Sequence, residues 1–198
     1  MPKSFQLSIK SSLFGRENLL TIEPGFIEFG AKLNKHEIAA IRYGVRGIRG
    51  YNFYIGRIYC IDIQSNAGEV IKIRFRSFYK FRHKILYEQY GKIINALFEN
   101  LINDISREYL KAFLEKRDFE ILGVRFMQDG LMFNKKPDAM PWLDVSMKIH
   151  RTYFTIFSMS EPTKYIAFTY IHDWNAWVLY SILRHILRSK NLWKEQAG

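Results

Sequence analysis

The sequence predicts an α+β protein of antiparallel strands and two helical regions. Short segments alternate apolar and polar residues between turns bearing Gly, Pro or Asn, the signature of half-buried strands. Two longer stretches, Phe81 to Ile105 and Trp174 to Leu187, place apolar residues at helical spacing. The order of strands followed by helix also occurs twice along the chain.

FQLSIK, from Phe5 to Lys10, alternates as a strand does. In LLTIEPGFIEFG, from Leu19 to Gly30, Pro24 fixes φ and Gly25 supplies positive φ, which predicts a tight hairpin. Strands are expected over Ile38 to Val45 and Tyr54 to Gln64, and Ser65-Asn66-Ala67-Gly68 then turns the chain into Val70 to Ser77. There Ile71, Ile73 and Phe75 point to the core while Lys72, Arg74 and Arg76 point outward. Ser77 is the expected N-cap of a long helix to about Arg117, kinked or broken near Asn103-Asp104.

After Asp118 the pattern restarts. FEILGVRF, the turn Gln128-Asp129-Gly130 and LMF predict a second hairpin, and KKPDAMP a loop. Trp142 to Ile149 alternates; YFTIF and KYIAFTYI follow as strands across the turn SMSEPT. Asp173 is the expected N-cap of WNAWVLYSILRHILRS.

Composition sets the class. Of 198 residues 48% are hydrophobic, enough apolar surface to offset the chain entropy of folding. No run approaches the roughly 20 apolar residues of a membrane span, and the N-terminal stretch lacks a signal-peptide core. One cysteine, Cys60, excludes an internal disulfide and a cysteine-zinc cluster, so the expected address is the cytoplasm. The net charge of +11 favours acidic partners. That charge is concentrated: between Arg42 and Lys84 ten cationic side chains face only Asp62 and Glu69.

LLTIEPGFIEFG, VIKIRFRSF and the helix after them resemble a bacterial pleckstrin-homology-like (PH-like) unit. FEILGVRFMQDGLMF with KYIAFTYIHDWNAWVLYSIL resembles a second. The resemblance implies two tandem PH-like units, residues 1–117 and 118–198, each a strongly bent antiparallel sheet followed by a C-terminal helix. It also implies a non-enzymatic binding or scaffolding module. Phosphoinositide-binding PH domains use a long basic loop between their first two strands. The corresponding connections here are expected at Pro24-Gly25 and Gln128-Asp129-Gly130, short and without Lys or Arg, so inositol-lipid binding is not carried over.

The stretch IRYGVRGIRGYNFYIGR, Ile41 to Arg57, spaces Gly44, Gly47 and Gly50 regularly. A phosphate loop needs a helix directly after it; strand sequence follows here, so these glycines are assigned to bends, bulges and turns. Arg42 and Arg46 share parity and, with Lys72, Arg74 and Arg76, are expected to form a basic face. That face is either a solvated sheet surface or a binding surface for an acidic protein or an anionic membrane. Tyr43, Tyr51, Phe53, Tyr54 and Tyr59 among the arginines offer a nucleic-acid alternative by base stacking.

For an enzyme the sequence offers little. His36, His83, His150, His172 and His185 show no metal-ligand spacing, and Cys60 sits in an apolar strand where a buried, inert thiol is expected. An enzyme whose site is invisible in sequence is the second alternative. No cofactor or metal is expected. The last helix is apolar on most sides, so its own sheet and the first unit cover it, or Trp174, Trp177 and Leu183 form a homodimer or partner interface.

Overall fold

A computed structural model of the chain describes residues 4–10, 16–51, 53–79, 82–133 and 136–193. Lys80 and Phe81, counted above with the basic segment and the helix, lie outside these. The fold is α+β, and the chain divides into two compact units, Met1–Asn103 and Asp104–Gly198. The division falls at Asn103 rather than after Arg117, because the helix that follows packs on second-unit strands: Tyr109 lies 5.1 Å from Phe119, and Phe113 5.7 Å from Trp142.

In the first unit β1 (Phe5–Lys10), β2 (Glu17–Glu23), β3 (Phe26–Phe29) and β4 (Ala31–Asn34) form a four-stranded antiparallel meander. Pro24-Gly25 is the β2–β3 turn, with Glu23 opposite Phe26. Gly25 is not among the residues of positive φ, contrary to expectation, so this turn does not depend on a left-handed glycine. A 3-10 turn at Lys35–Glu37 closes the first sheet, held by the Glu37 carboxylate, which accepts from the Asn34 N–H at 2.8 Å. The three-stranded sheet follows: β5 (Ile38–Gly50), β6 (Phe53–Ser65) and β7 (Val70–Phe78). Ile71, Ile73 and Phe75 are buried as expected, with Ile41, Tyr59 and Ile61 on the same face.

Next come α1 (His83–Leu97), a π-helical turn (Phe98–Ile102) and α2 (Asn103–Leu114). Asn103-Asp104 stays helical; the irregularity is the π turn just before it. Ser77 is buried in β7 and caps nothing. Arg82, left-handed at φ 54°, occupies the N-cap position instead.

In the second unit β8 (Phe119–Ile121), β9 (Val124–Phe126), β10 (Gly130–Phe133) and β11 (Lys136–Pro141) form another four-stranded sheet. FEILGVRF is therefore a hairpin, not one strand. Leu122 at φ 55° and Gly123 at φ 74° make its two-residue turn, the geometry that follows strand twist. KKPDAMP is not a loop, since most of it is β11. A 3-10 turn at Trp142–Asp144 leads to β12 (Val145–Ile149), β13 (Tyr153–Ser158) and β14 (Tyr165–Thr169), then α3 (Ala176–Ser189). Asp173 does not cap α3. Its carboxylate accepts from the Thr169 N–H and hydroxyl, while Asn175, left-handed at φ 62°, holds the cap position.

Each unit's strands thus fall into two sheets rather than one bent sheet, because a 3-10 turn separates the fourth strand from the fifth. The hydrogen bonds around those turns recur. Glu37 C=O accepts from Asn66 N–H at 2.8 Å, and Asp144 C=O accepts from Met159 N–H at 2.8 Å. Buried Ser65 lies opposite Ile38 and its hydroxyl accepts from Glu69 N–H at 3.0 Å; buried Ser158 lies opposite Val145 and its hydroxyl accepts from Glu161 N–H at 2.9 Å.

Candidate anion-binding face

The β5–β6–β7 register sets the positions of the basic residues. Three cross-strand rows run Arg42–Asp62–Lys72, Gly44–Cys60–Arg74 and Arg46–Ile58–Arg76. Residues in register share a face, so Arg42, Arg46, Lys72, Arg74 and Arg76 lie on one side, opposite the buried side chains. Their environments differ. Arg42 Nε donates to Asp62 Oδ2 at 3.0 Å, and Arg74 Nη2 donates to Asp62 Oδ1. Arg74 Nη1 also donates to the carbonyls of Ile61 and Ile73, each at 2.9 Å.

Asp62 is buried, its side chain only 5% exposed, which makes Arg42 and Arg74 its counter-ions. Arg46, Lys72 and Arg76 are the exposed members of the five. Parity, read from the sequence, groups the cations; it does not show that one acid claims two of them.

The same hairpin extends past its core. From Gly44 to Ile58 no described residue is fully buried, and β5 and β6 continue as an arm. Tyr43 and Tyr59 are core, but Tyr51, Phe53 and Tyr54 at the tip are 101%, 71% and 68% exposed. Arg49 Nη2 donates to the Tyr54 hydroxyl at 2.8 Å and its guanidinium lies 5.0 Å from that ring. Gly47 lets the ring lie flat there, since a Cβ would meet Tyr54 at 2.5 Å. Tyr79, also exposed, ties to the arm through its N–H, which donates to Ile55 C=O at 2.8 Å. The sequence signal for this arm is the excess of Gly and Arg after Val45, where apolar alternation fades.

At the root of the arm Arg57 Nη1 lies 3.2 Å from His83 Nε2, and the Tyr59 hydroxyl lies 2.9 Å from His83 Nδ1. Arginine only donates, so Nε2 accepts and Nδ1 carries the proton. The cluster fixes the start of α1 on the sheet. Cys60 is buried, as expected for an inert thiol. Among the described residues no group of His, Cys, Asp or Glu could hold a metal ion, and no helix is long and apolar enough to cross a membrane.

Of the proposed interface residues, Leu183 is wholly buried within this chain and cannot face a partner. Trp177 is half-buried, stacked 4.0 Å from Tyr170 and edge-on to Tyr180 at 5.8 Å; Trp174 is half-buried as well. In comparisons with known proteins, no family model, curated protein or solved structure matches this chain.

Proposed function

We propose that the chain is a tandem pair of PH-like units acting as a non-enzymatic binding module, and that its first unit docks on an anionic lipid surface. The tandem reading is supported by the order that both units follow: four strands, a 3-10 turn, three strands and a helix entered through a left-handed residue. The docking reading rests on one observation. Exposed Arg46, Lys72 and Arg76 share the sheet face of an arm whose tip exposes Tyr51, Phe53 and Tyr54. Cations attract acidic headgroups from a Debye length away, and amphipathic rings favour the headgroup boundary.

The pairing of Arg74 with Asp62 decides how this is tested. Neutralising Arg74 would expose a buried carboxylate to loss of its partner, so Arg46→Gln, Lys72→Gln and Arg76→Gln are combined instead. In sedimentation with vesicles of phosphatidylserine and phosphatidylcholine, this variant should lose about two orders of magnitude in affinity, at roughly 1 kcal/mol per cation. Binding should also weaken with added salt. Equal binding to pure phosphatidylcholine vesicles, or none to either, overturns the lipid reading. Retention of mixed oligonucleotides with a steep salt slope would point to nucleic acid, and saturable binding to a polyglutamate peptide to an acidic protein.

A further inference from the structure

The first unit has an open cavity of about 430 Å³ between β1, β7 and α1. Among the described residues both strands are terminal members of their sheets, and the helix stands as a third wall of the cavity. Its apolar lining comes from Leu7, Ile9, Phe75, Phe78, Leu86 and Ile93. Among the described residues Lys10, Arg76 and Arg82 also line it, and Glu17 is the one acid that does. That acid is engaged, because the Ser8 hydroxyl donates to Glu17 Oε2 at 2.9 Å.

A space of this volume falls in the range of small-ligand sites. The charge pattern restricts the ligand further. Three cations stand over an apolar wall. Arg82 opens α1 in the left-handed conformation, and no acidic residue occupies the helix's first turn, so the positive end of the helix adds to the same field.

We propose that this cavity binds a single-chain amphiphile with an anionic head, its alkyl chain against Leu7, Phe78 and Leu86 and its head at Lys10 and Arg82. This site borders the vesicle-docking face at Arg76, which belongs to both, but Lys10, Arg82 and Leu86 line only the cavity, and Arg46 and Lys72 do not line it. A carboxylate or a phosphate head satisfies the same cations, so both are compared.

Sodium dodecanoate, monododecyl phosphate and dodecanol are titrated into the full chain, followed by calorimetry and by methyl NMR of Leu7, Leu86 and Ile93. Saturable one-to-one binding of an anionic probe, at least tenfold tighter than dodecanol, is expected, with shifts at those methyls. The stronger of the two anionic probes identifies the head. In Lys10→Gln with Arg82→Asn, a substitution that keeps a residue tolerant of positive φ, anionic binding should fall at least tenfold, to the level of dodecanol. Leu86→Trp should fill the space and abolish all three titrations. Should Leu86→Trp fail to fold, the exposed pair Lys10→Gln and Arg82→Asn decides alone. Undiminished binding in that pair, or shifts confined to other methyls, overturns the proposal. Arg46→Gln with Lys72→Gln should bind dodecanoate normally even where vesicle binding is lost, which separates failure of one site from failure of the other.

Discussion

Arg42 Nε donates to Asp62 Oδ2 at 3.0 Å across the β5–β6 pair, from a half-exposed strand position onto a buried carboxylate. A buried carboxylate on the solvent side of a sheet is tolerable only when it is paired, and here Arg74 supplies the second partner. Asp62→Asn would remove the charge that both guanidinium groups answer. The expected cost is about 2–3 kcal/mol in urea denaturation, below a fully enclosed pair because both arginines keep contact with water. Arg46→Gln, Lys72→Gln and Arg76→Gln should each change stability by less than about 0.5 kcal/mol. An Asp62→Asn protein as stable as the parent would show that the two arginines gain nothing from this carboxylate.

Asp144 sets a dependence on acid. Burial disfavours its ionised form, but hydrogen bonds from the Ser158 hydroxyl and the Ser160 N–H outweigh that and hold its carboxyl below its ordinary value of 3.8. A depressed carboxylate stabilises the fold above its unfolded pKa, and that contribution disappears as pH falls through the folded pKa. Stability should therefore drop on acidification below the ordinary carboxylate range, and Asp144→Asn should flatten the drop. The carboxyl carbon of Asp144 should titrate below 3.8 by NMR.

Tyrosines set the alkaline limit. Burial raises the pKa of Tyr59, Tyr90 and Tyr170 above 10.0; neighbouring Tyr87 adds to the first two and Tyr180 to the third, while Arg57 works against the shift at Tyr59. Their neutral form is favoured in the fold, so the stability they contribute is intact below pH 10.0 and is lost as pH rises towards their folded values. Tyrosinate absorbance should lag behind that of a urea-unfolded sample and then rise together with unfolding. Tyr90→Phe should lose less stability over the same range.

The pattern of strands was legible where one face is buried. Alternation at Phe5 to Lys10 and Val70 to Ser77 placed β1 and β7, and Ile71, Ile73 and Phe75 are core as their period requires. It failed where backbone geometry outranks side-chain type. Nothing in the side chain of Leu122 advertises a left-handed turn, so FEILGVRF looked like one strand. Ser77 and Asp173 are good cap residues by chemistry, but the sheet claims one and the turn after β14 claims the other. The site was half legible. Parity groups the five cations on one face, whereas the shared Asp62 partner and the cavity between β1, β7 and α1 depend on contacts distant in sequence.

Two glycines that look alike in sequence should respond differently to substitution. Gly25 and Gly130 each follow a turn-forming residue, Pro24 and Asp129, and neither has positive φ. A Cβ at Gly25 would meet nothing within 4 Å. At Gly130 it would stand 2.0 Å from the Met140 carbonyl oxygen and 3.0 Å from Pro141 Cα, where β11 crosses close to β10. Backbone atoms cannot rotate away as a side chain can, so the strands must separate. Gly130→Ala should cost about 2–3 kcal/mol and speed amide exchange along β10 and β11. Gly25→Ala should be neutral or slightly stabilising, because it narrows the unfolded ensemble without straining the fold. Equal effects at the two positions would mean that turn chemistry, rather than the close approach of β11, determines the residue at position 130.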